Sequence, residues 1–448
     1  MPVSPRALFD WHERSGAFER LTPGWQPTRV LSRTGGITNG SRVEVEVPVL
    51  GGLLHQRMLM EHRGYTPGSQ FTDVMLEGPF TRWEHTHTME PAADGTSVLV
   101  DQIDYALPLG VLGDTAAGWF VRRQLEQLFD FRHTRTRTDL ERHMAFANAP
   151  RLTVAITGGT GMIGSALTGL LRTGGHTVRW ITRSPKTGKG DIGWDPATGT
   201  LDPTHLEGVD AVVHLAGANV GERWAAEHKR AIRESREQGT RTLVGALIKM
   251  RTPPKVLVSG SAVGYYGDTG STLIDESAGI GSGFLADVSR VWEGETAAAA
   301  AAGIRVAIAR TGVVLTPSGG ALAKMLPAFQ LGLGGPLGSG KQWMSWISLD
   351  DEIAALHFLL MNADCHGIYN LTAPSPVTNT EFVRTLGAVL HRPAILPVPA
   401  FALTALFGEM AEATILGGQR VVPARLQAAG FTFQHPTLDA ALRFELGR

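Results

Sequence analysis

Residues 152–164 read Leu-Thr-Val-Ala-Ile-Thr-Gly-Gly-Thr-Gly-Met-Ile-Gly and constrain the fold more than any other stretch of the chain. Val154, Ala155, Ile156 and Thr157 make the apolar run of a strand buried on both faces. Gly158, Gly161 and Gly164 follow at three-residue spacing, and a helical pattern, SALTGLLRTGG, comes next. In such a unit the first glycine permits a tight turn and the second lets backbone approach a pyrophosphate. The third lets helix and strand pack closely, and the anion sits at the helix N-terminus, here the amides of Met162, Ile163 and Gly164. A glycine triplet alone is a weak signal; strand, turn and helix in this order supply its context.

The next strand pattern, 177–181, runs into Thr182-Arg183-Ser184. An acidic residue at this point would hydrogen-bond an unphosphorylated ribose 2′-OH. Arg183 instead suits a 2′-phosphate by charge and by bidentate geometry, which favours NADP over NAD; a solvated arginine at a strand end is the competing reading. Strand patterns at 152–157, 177–182, 210–215, 255–260, 305–310 and 367–371 alternate with helical stretches, as in a doubly wound parallel α/β sheet of Rossmann type. After about residue 375 the pattern is mostly helical. The expected organisation is an α+β domain over 1–148, an NADP-binding Rossmann domain over 151–375, and a small C-terminal cap over 376–448 completing its substrate side.

At 448 residues the chain has room for two or three domains of roughly 100–200 residues. Its 41 basic and 42 acidic residues leave a net charge of −1, so no global field gathers nucleic acid or an anionic membrane. The single cysteine, Cys365, excludes an intramolecular disulfide and suits a reducing cytoplasm, the expected location. The first residues, MPVSPRALFDWHERSG, lack the apolar core of a signal peptide, and no run of ~18 apolar residues indicates a membrane span.

The chain resembles the extended short-chain dehydrogenase/reductase superfamily. Beyond the glycine turn, Asp210-Ala-Val-Val-His-Leu-Ala-Gly217 is similar to the strand segment lining the adenosine side of the cofactor, which places Leu215, Ala216 and Gly217 there. The segment around Ser259-Gly-Ser-Ala-Val-Gly-Tyr-Tyr-Gly267 is similar to the strand carrying the catalytic serine, here Ser261, and Arg310-Thr-Gly-Val-Val-Leu315 places Val314 near the nicotinamide. The proton-transfer pair Tyr-x-x-x-Lys is missing. With Glu293 aligned to the glutamate that follows it, Leu285 and Ser289 stand in its place, and Arg236 replaces an asparagine. These departures, with RWAAEHKRAIRESREQGTR, FLADVSRVWE, GLGGPLGSGKQWMSWI and the C-terminal segment 392–433 of DUF1731 type, resemble the epimerase-family atypical reductases. That resemblance implies Thr182 and Arg183 at the 2′-phosphate, Arg236 near the cofactor supplying the missing lysine's charge, and Ser261 as the surviving catalytic residue. Tyr265 or Tyr266 supplies a phenol if its loop bends inward; packing with a satisfied hydroxyl is the alternative.

Three motifs carry less. Residues 335–341, GPLGSGK, nearly spell a P-loop, but Gln342 stands where the magnesium-binding hydroxyl belongs and no strand leads in. The segment reads as a loop over the substrate pocket, with Lys341, Trp343 and Trp346 either facing substrate or simply covering it. His85 and His87 alternate on one strand with His55 and His62 nearby, yet no third ligand stands out, so no metal site is assigned. The arginines of 132–142 are interspersed with acidic residues at a helix end and read as a solvated face, not an RNA site.

Before residue 150 the pattern is amphipathic strands at 43–49, 80–89 and 96–107, a turn at 92–95, and a long helix from about 115 to 144 with Trp119, Phe120, Leu125, Leu128 and Phe129 as apolar positions. Phe9-Asp-Trp-His-Glu-Arg-Ser-Gly-Ala-Phe-Glu-Arg-Leu21, Pro23-Gly-Trp25, Gly78-Pro-Phe80 and Trp83-Glu-His85 resemble a helix-grip domain of the START-like, polyketide-cyclase type, which implies a cavity for an apolar ligand between sheet and helix. A fold of this kind hosts both carriers and enzymes. The combined expectation is an NADP-dependent epimerase or oxidoreductase acting on a small molecule. A non-catalytic NADP-binding regulator or scaffold, of the kind tied to cell division, is the alternative that the missing Tyr/Lys pair leaves open.

Overall fold

The computed structural model describes residues 1–49, 54–108, 111–186 and 190–448. They form two compact units: Met1–Asn148 with Gly169–Gly175 and Gly447, and Ala149–Thr168 and His176–Leu446 with Arg448.

The first unit is a six-stranded antiparallel meander. It contains α1 (Pro5–Glu13), α2 (Ala17–Leu21), β1 (Arg29–Thr34), β2 (Arg42–Val49), β3 (Leu54–Thr66), β4 (Gln70–Glu77), β5 (Arg82–Pro91), β6 (Ser97–Ala106) and α3 (Val111–Met144), and the strands pair in chain order. Ser4 caps α1 by accepting from the Ala7 N–H, a proline occupies the first turn, and the helix buries Leu8, Phe9 and Trp11 completely. The turn between β5 and β6 uses Gly95 at positive φ and puts Asp94 there as well. Asp139 of α3 holds Arg20 of α2 through two bonds of 2.7 and 2.6 Å, both side chains almost wholly buried.

The sequence pattern misses β1, β3 and β4. The face of this sheet that should read as apolar lines a cavity, so the alternation expected of a half-buried strand is blurred: β3 is intermediate or exposed throughout. Along α3, Leu125, Leu128 and Phe129 line that cavity, whereas Trp119 and Phe120 of the same apolar pattern are exposed at 72% and 55%.

The second unit is built on seven parallel strands: β7 (Thr153–Thr157), β8 (Thr177–Thr182), β9 (Ile192–Gly193), β10 (Ala211–His214), β11 (Val256–Ala262), β12 (Arg305–Thr311) and β13 (Gly367–Leu371). Their spatial order is β13-β12-β11-β10-β7-β8-β9, so the chain reverses direction across the sheet between β7 and β10. Helices α4 (Met162–Thr173), α5 (Ala226–Leu247) and α6 (Phe284–Gly294) follow β7, β10 and β11. Val154, Ala155, Ile156, Ala211, Val212 and Leu257 are fully buried, as strands covered on both faces require.

The C-terminal residues are part of this unit. Helices Asn379–Leu390 and Leu438–Leu446 close a second core around Trp346, Phe382 and Leu442. Asp351 accepts from the Gln434 and His435 amides, and helices Ala400–Phe407 and Glu409–Ala411 reach back to α5 through Lys229–Glu409 and through Arg223 on the Ala405 carbonyl. Trp346 is therefore core, its indole N–H donating to the Ser375 carbonyl, and does not face substrate. Trp343 is half-buried under the Arg420 guanidinium, whereas Lys341 is exposed. Among the described residues no helix is long and apolar enough to cross a membrane.

Candidate functional site

The glycine turn sits at the C-terminal edge of β7, where the sheet order reverses, which is where open α/β sheets bind ligands. Gly158 has φ of 69°, and a Cβ there would lie 2.9 Å from the Leu215 carbonyl carbon. A Cβ on Gly164 would lie 2.3 Å from the Gly158 carbonyl oxygen, and one on Gly161 would lie 3.2 Å from it. The turn thus closes on itself and on the 215–216 backbone with no side chain between. Trp180 packs over Gly159, its indole N–H donating to Thr168. α4 begins at Met162, so the Met162, Ile163 and Gly164 amides lie in a first turn, where no intrahelical acceptor exists. Met162 also reaches the loop after Val314: a Cβ on Gly319 would stand 3.2 Å from its sulfur.

A buried hydrogen-bond chain holds the two strand ends. Thr157 donates to His214 Nδ1 at 2.7 Å, His214 Nε2–H donates to Thr240 at 3.0 Å, and Thr240 donates to the Arg236 carbonyl at 2.6 Å. The Thr157 oxygen also accepts the Leu215 and Ala216 amides. Burial, with Arg236 adding to it, lowers His214 to about 4 and keeps the ring neutral. Neither Thr157 nor His214 stood out in the sequence as a site residue.

Arg236 lies directly beneath Gly217, where a Cβ would meet its guanidinium at 3.0 Å. Its Nη1 donates to the Ala218 and Ile232 carbonyls, its guanidinium lies 4.9 Å from the Trp292 ring centre, and burial lowers its pKa to about 10, so it stays charged at neutral pH.

Ser261 is 5% exposed near the end of β11, directly opposite Arg310 of β12. It donates to Glu293 Oε1 at 2.6 Å, and Arg310 takes the same carboxylate in a two-point grip at 2.8 Å to each oxygen. Arg310 also donates to the Tyr266 hydroxyl, which donates in turn to Asn370. Burial pushes the Tyr266 phenol up, and its proton is already committed. The Arg310 guanidinium covers the Tyr265 ring at 3.4 Å. Leu285 packs on Gly264, and Ser289 is buried. The fold therefore brings Ser261, Glu293 and Arg310 together and engages both tyrosines with Arg310. Thr182 ends β8, and Arg183 beyond it is exposed with no ion-pair partner among the described residues.

The first unit holds a cavity of about 330 Å³, lined by apolar side chains such as Val43, Met58, Met60, Phe71 and Leu128 and also by several histidines and Asp73. His85 and His87 share one face of β5. Strand register sets Asp73 of β4 opposite His85 and Asp101 of β6 opposite His87. For His87, burial opposes charge, but bonds to Asp101 and Asp73 outweigh it and raise the ring to about 9. Burial and the neighbouring His87 lower both His85 and His12 to about 4.

The sheet order and its glycine turn define the doubly wound class of α/β proteins. Residues 154–372 match the NAD dependent epimerase/dehydratase family, 398–445 a domain of unknown function, DUF1731, and 1–131 the polyketide cyclase/dehydrase and lipid transport family. An epimerase family protein of Mycobacterium bovis is 45% identical over 296 residues, covering 66% of this chain and 98% of the relative. A structure described as a nucleoside-diphosphate sugar epimerase of Corynebacterium glutamicum superposes with a TM-score of 0.81 at 33% identity, over 100% of this chain and 89% of that one. The human epimerase family protein SDR39U1, solved with NADPH, superposes with a TM-score of 0.59 at 37% identity, over 66% of this chain and 99% of that one. The chain belongs to the epimerase family.

The Thr157–His214 contact gives a pH signature. An unfolded chain protonates this histidine near 6.5, the folded chain only near 4, so falling pH favours unfolding across that window. Between pH 7 and pH 5 the native state loses up to about 2 kcal/mol through this residue. Denaturant titrations of His214→Asn at the two pH values should show a loss smaller by that amount; an identical pH dependence contradicts the buried neutral imidazole.

Proposed function

We propose that the second unit binds NADP across the crevice between β7 and β10 and works as an epimerase- or oxidoreductase-like protein on a small molecule. The observation that carries this reading is the cradle formed by Gly158, Gly161 and Gly164, which any Cβ would fill, beneath the first turn of α4. The residues fit a dinucleotide. The Met162, Ile163 and Gly164 amides face the diphosphate, Thr182 and Arg183 the 2′-phosphate, Leu215, Ala216 and Gly217 the adenosine side, and Val314 the nicotinamide end. The human relative solved with NADPH supports the choice of cofactor. When bound, the nicotinamide gives or takes a hydride.

Arg236 sets a buried positive charge under Gly217 and supplies what the missing lysine would. Ser261 is the catalytic residue of this reading. Its proton points to Glu293, a carboxylate already gripped by Arg310, so its oxygen is left to accept from a substrate hydroxyl; a substrate carbonyl requires the Ser261 O–H to rotate away from Glu293. Tyr265, whose ring stacks under Arg310, is the second catalytic residue of this reading, able to offer its phenol beside Ser261. Residues 376–448 act as the cap, with Met410 and Phe407 packed beside Leu285 and Val288 of α6, and the cavity of the first unit holds an apolar ligand.

Arg183→Glu should weaken NADPH at least tenfold more than NADH in equilibrium titrations; equal losses refute the 2′-phosphate role. In assays of NADPH oxidation across a panel of aldehydes and ketones, wild type turns over at least one compound and Ser261→Ala loses the rate without losing NADPH affinity. Equal rates in the two proteins remove Ser261 from the chemistry, and no turnover by wild type favours a non-catalytic role for the cofactor.

A further inference from the structure

We propose that Asp73, His85 and His87 bind one divalent transition-metal ion of the zinc type, with open coordination positions facing the cavity of the first unit, and that this ion holds the oxygen head of an otherwise apolar ligand.

The three donors come together through sheet register. His85 and His87 are two residues apart on one face of β5, and Asp73 lies opposite His85 on β4. One ligand atom from each residue falls in a group no wider than 4.8 Å, with Asp73 Oδ2 at 3.3 Å from His87 Nε2 and 3.9 Å from His85 Nδ1. Metal–ligand bonds of about 2.0–2.2 Å at tetrahedral to octahedral angles separate neighbouring ligand atoms by roughly 3.0–3.5 Å. Of the three separations, Asp73–His87 already lies in that range, Asp73–His85 is 3.9 Å, and His85–His87 is no more than 4.8 Å, so binding draws the two histidines inward.

The atoms pointing away from this centre are held as metal ligands usually are. His85 Nε2 is 2.9 Å and His87 Nδ1 2.7 Å from the same oxygen of Asp101, whose other oxygen is 2.6 Å from His133 Nε2. Asp73 Oδ1 is 2.6 Å from His62 Nδ1. A carboxylate behind each ligating imidazole fixes the ring and raises its basicity. Protons alone leave the cluster incompletely satisfied: His87 Nδ1, Asp73 Oδ1 and His62 Nδ1 are buried without a well-directed hydrogen bond despite these short contacts. Two carboxylates, Asp73 and Asp101, converge on the two imidazoles, with the Arg132 guanidinium close enough to interact with both. His12 donates its Nδ1–H to the Leu8 carbonyl, and its remaining nitrogen is not part of the three-donor group.

Asp73, His85 and His87 all line the cavity together with many aliphatic and aromatic side chains. Three protein ligands leave at least one position to water or ligand, as in open metal sites. The chemistry that fits is a hydrophobic body carrying one carboxylate, enolate or phenolate oxygen.

The test uses untagged full-length protein, stripped with chelator and titrated with Co2+. Wild type should take up one equivalent, show the visible bands of cobalt bound by nitrogen and oxygen, and release it to Zn2+. The His85→Ala/His87→Ala double variant should lose stoichiometric uptake. Asp101→Asn, a milder change behind the ligands, should bind 10–100-fold more weakly with the same stoichiometry. Decanoate should shift the cobalt bands. Absence of uptake by wild type, or uptake undiminished in the double variant, overturns the metal site; bands unmoved by saturating decanoate overturn the ligand class.

Discussion

The backbone of Gly158 lies against the Leu215 peptide with no space for one carbon atom between them. Everything at the C-terminal edge of the large sheet depends on that approach. It turns the chain sharply after β7, seats the first turn of α4 over the sheet's reversal point, and sets 215–217 along one wall of the crevice. Thr157 and His214 lock it, because a single threonine oxygen serves two amides and the imidazole together. The same chain of hydrogen bonds runs through Thr240 to the Arg236 backbone, so the buried cation beneath Gly217 is positioned by the contact that shapes the turn.

Next to this crevice the buried charge lies in Glu293 and Arg310, with Ser261 donating to the same carboxylate. Breaking one partner of so buried a pair leaves an uncompensated charge costing about 3–5 kcal/mol, so the Ser261 environment is stiff. The first unit treats buried charge differently. Asp73 and Asp101 are surrounded by imidazoles whose protonation the register splits, with one ring raised and its neighbour lowered.

Much of the second unit was legible because buried parallel strands are rich in apolar residues and alternate with helices: six of the seven strands of its large sheet follow from that pattern, and the two-residue edge strand Ile192–Gly193 escapes. The glycines were legible because their reason is local. The first unit was harder, since strands facing a cavity lose the apolar alternation that marks a strand over a packed core. Cross-strand partnerships were least legible. Ser261 was found by resemblance, but Arg310 reaches Glu293 only because β12 pairs with β11 in one particular register. Asp73 joins His85 for the same reason, and a search along β5 alone finds two ligands and stops.

The central claim is that the glycine cradle holds a dinucleotide. It is tested most directly by titrating the intact chain with NADPH while exciting tryptophan, since Trp180 packs on Gly159 of the turn. A saturable loss of tryptophan emission with sensitised emission from the reduced nicotinamide is predicted for wild type, and its loss in Gly164→Val, where the cradle is filled. No saturable response at millimolar NADPH, or an equal response in Gly164→Val, would contradict the account.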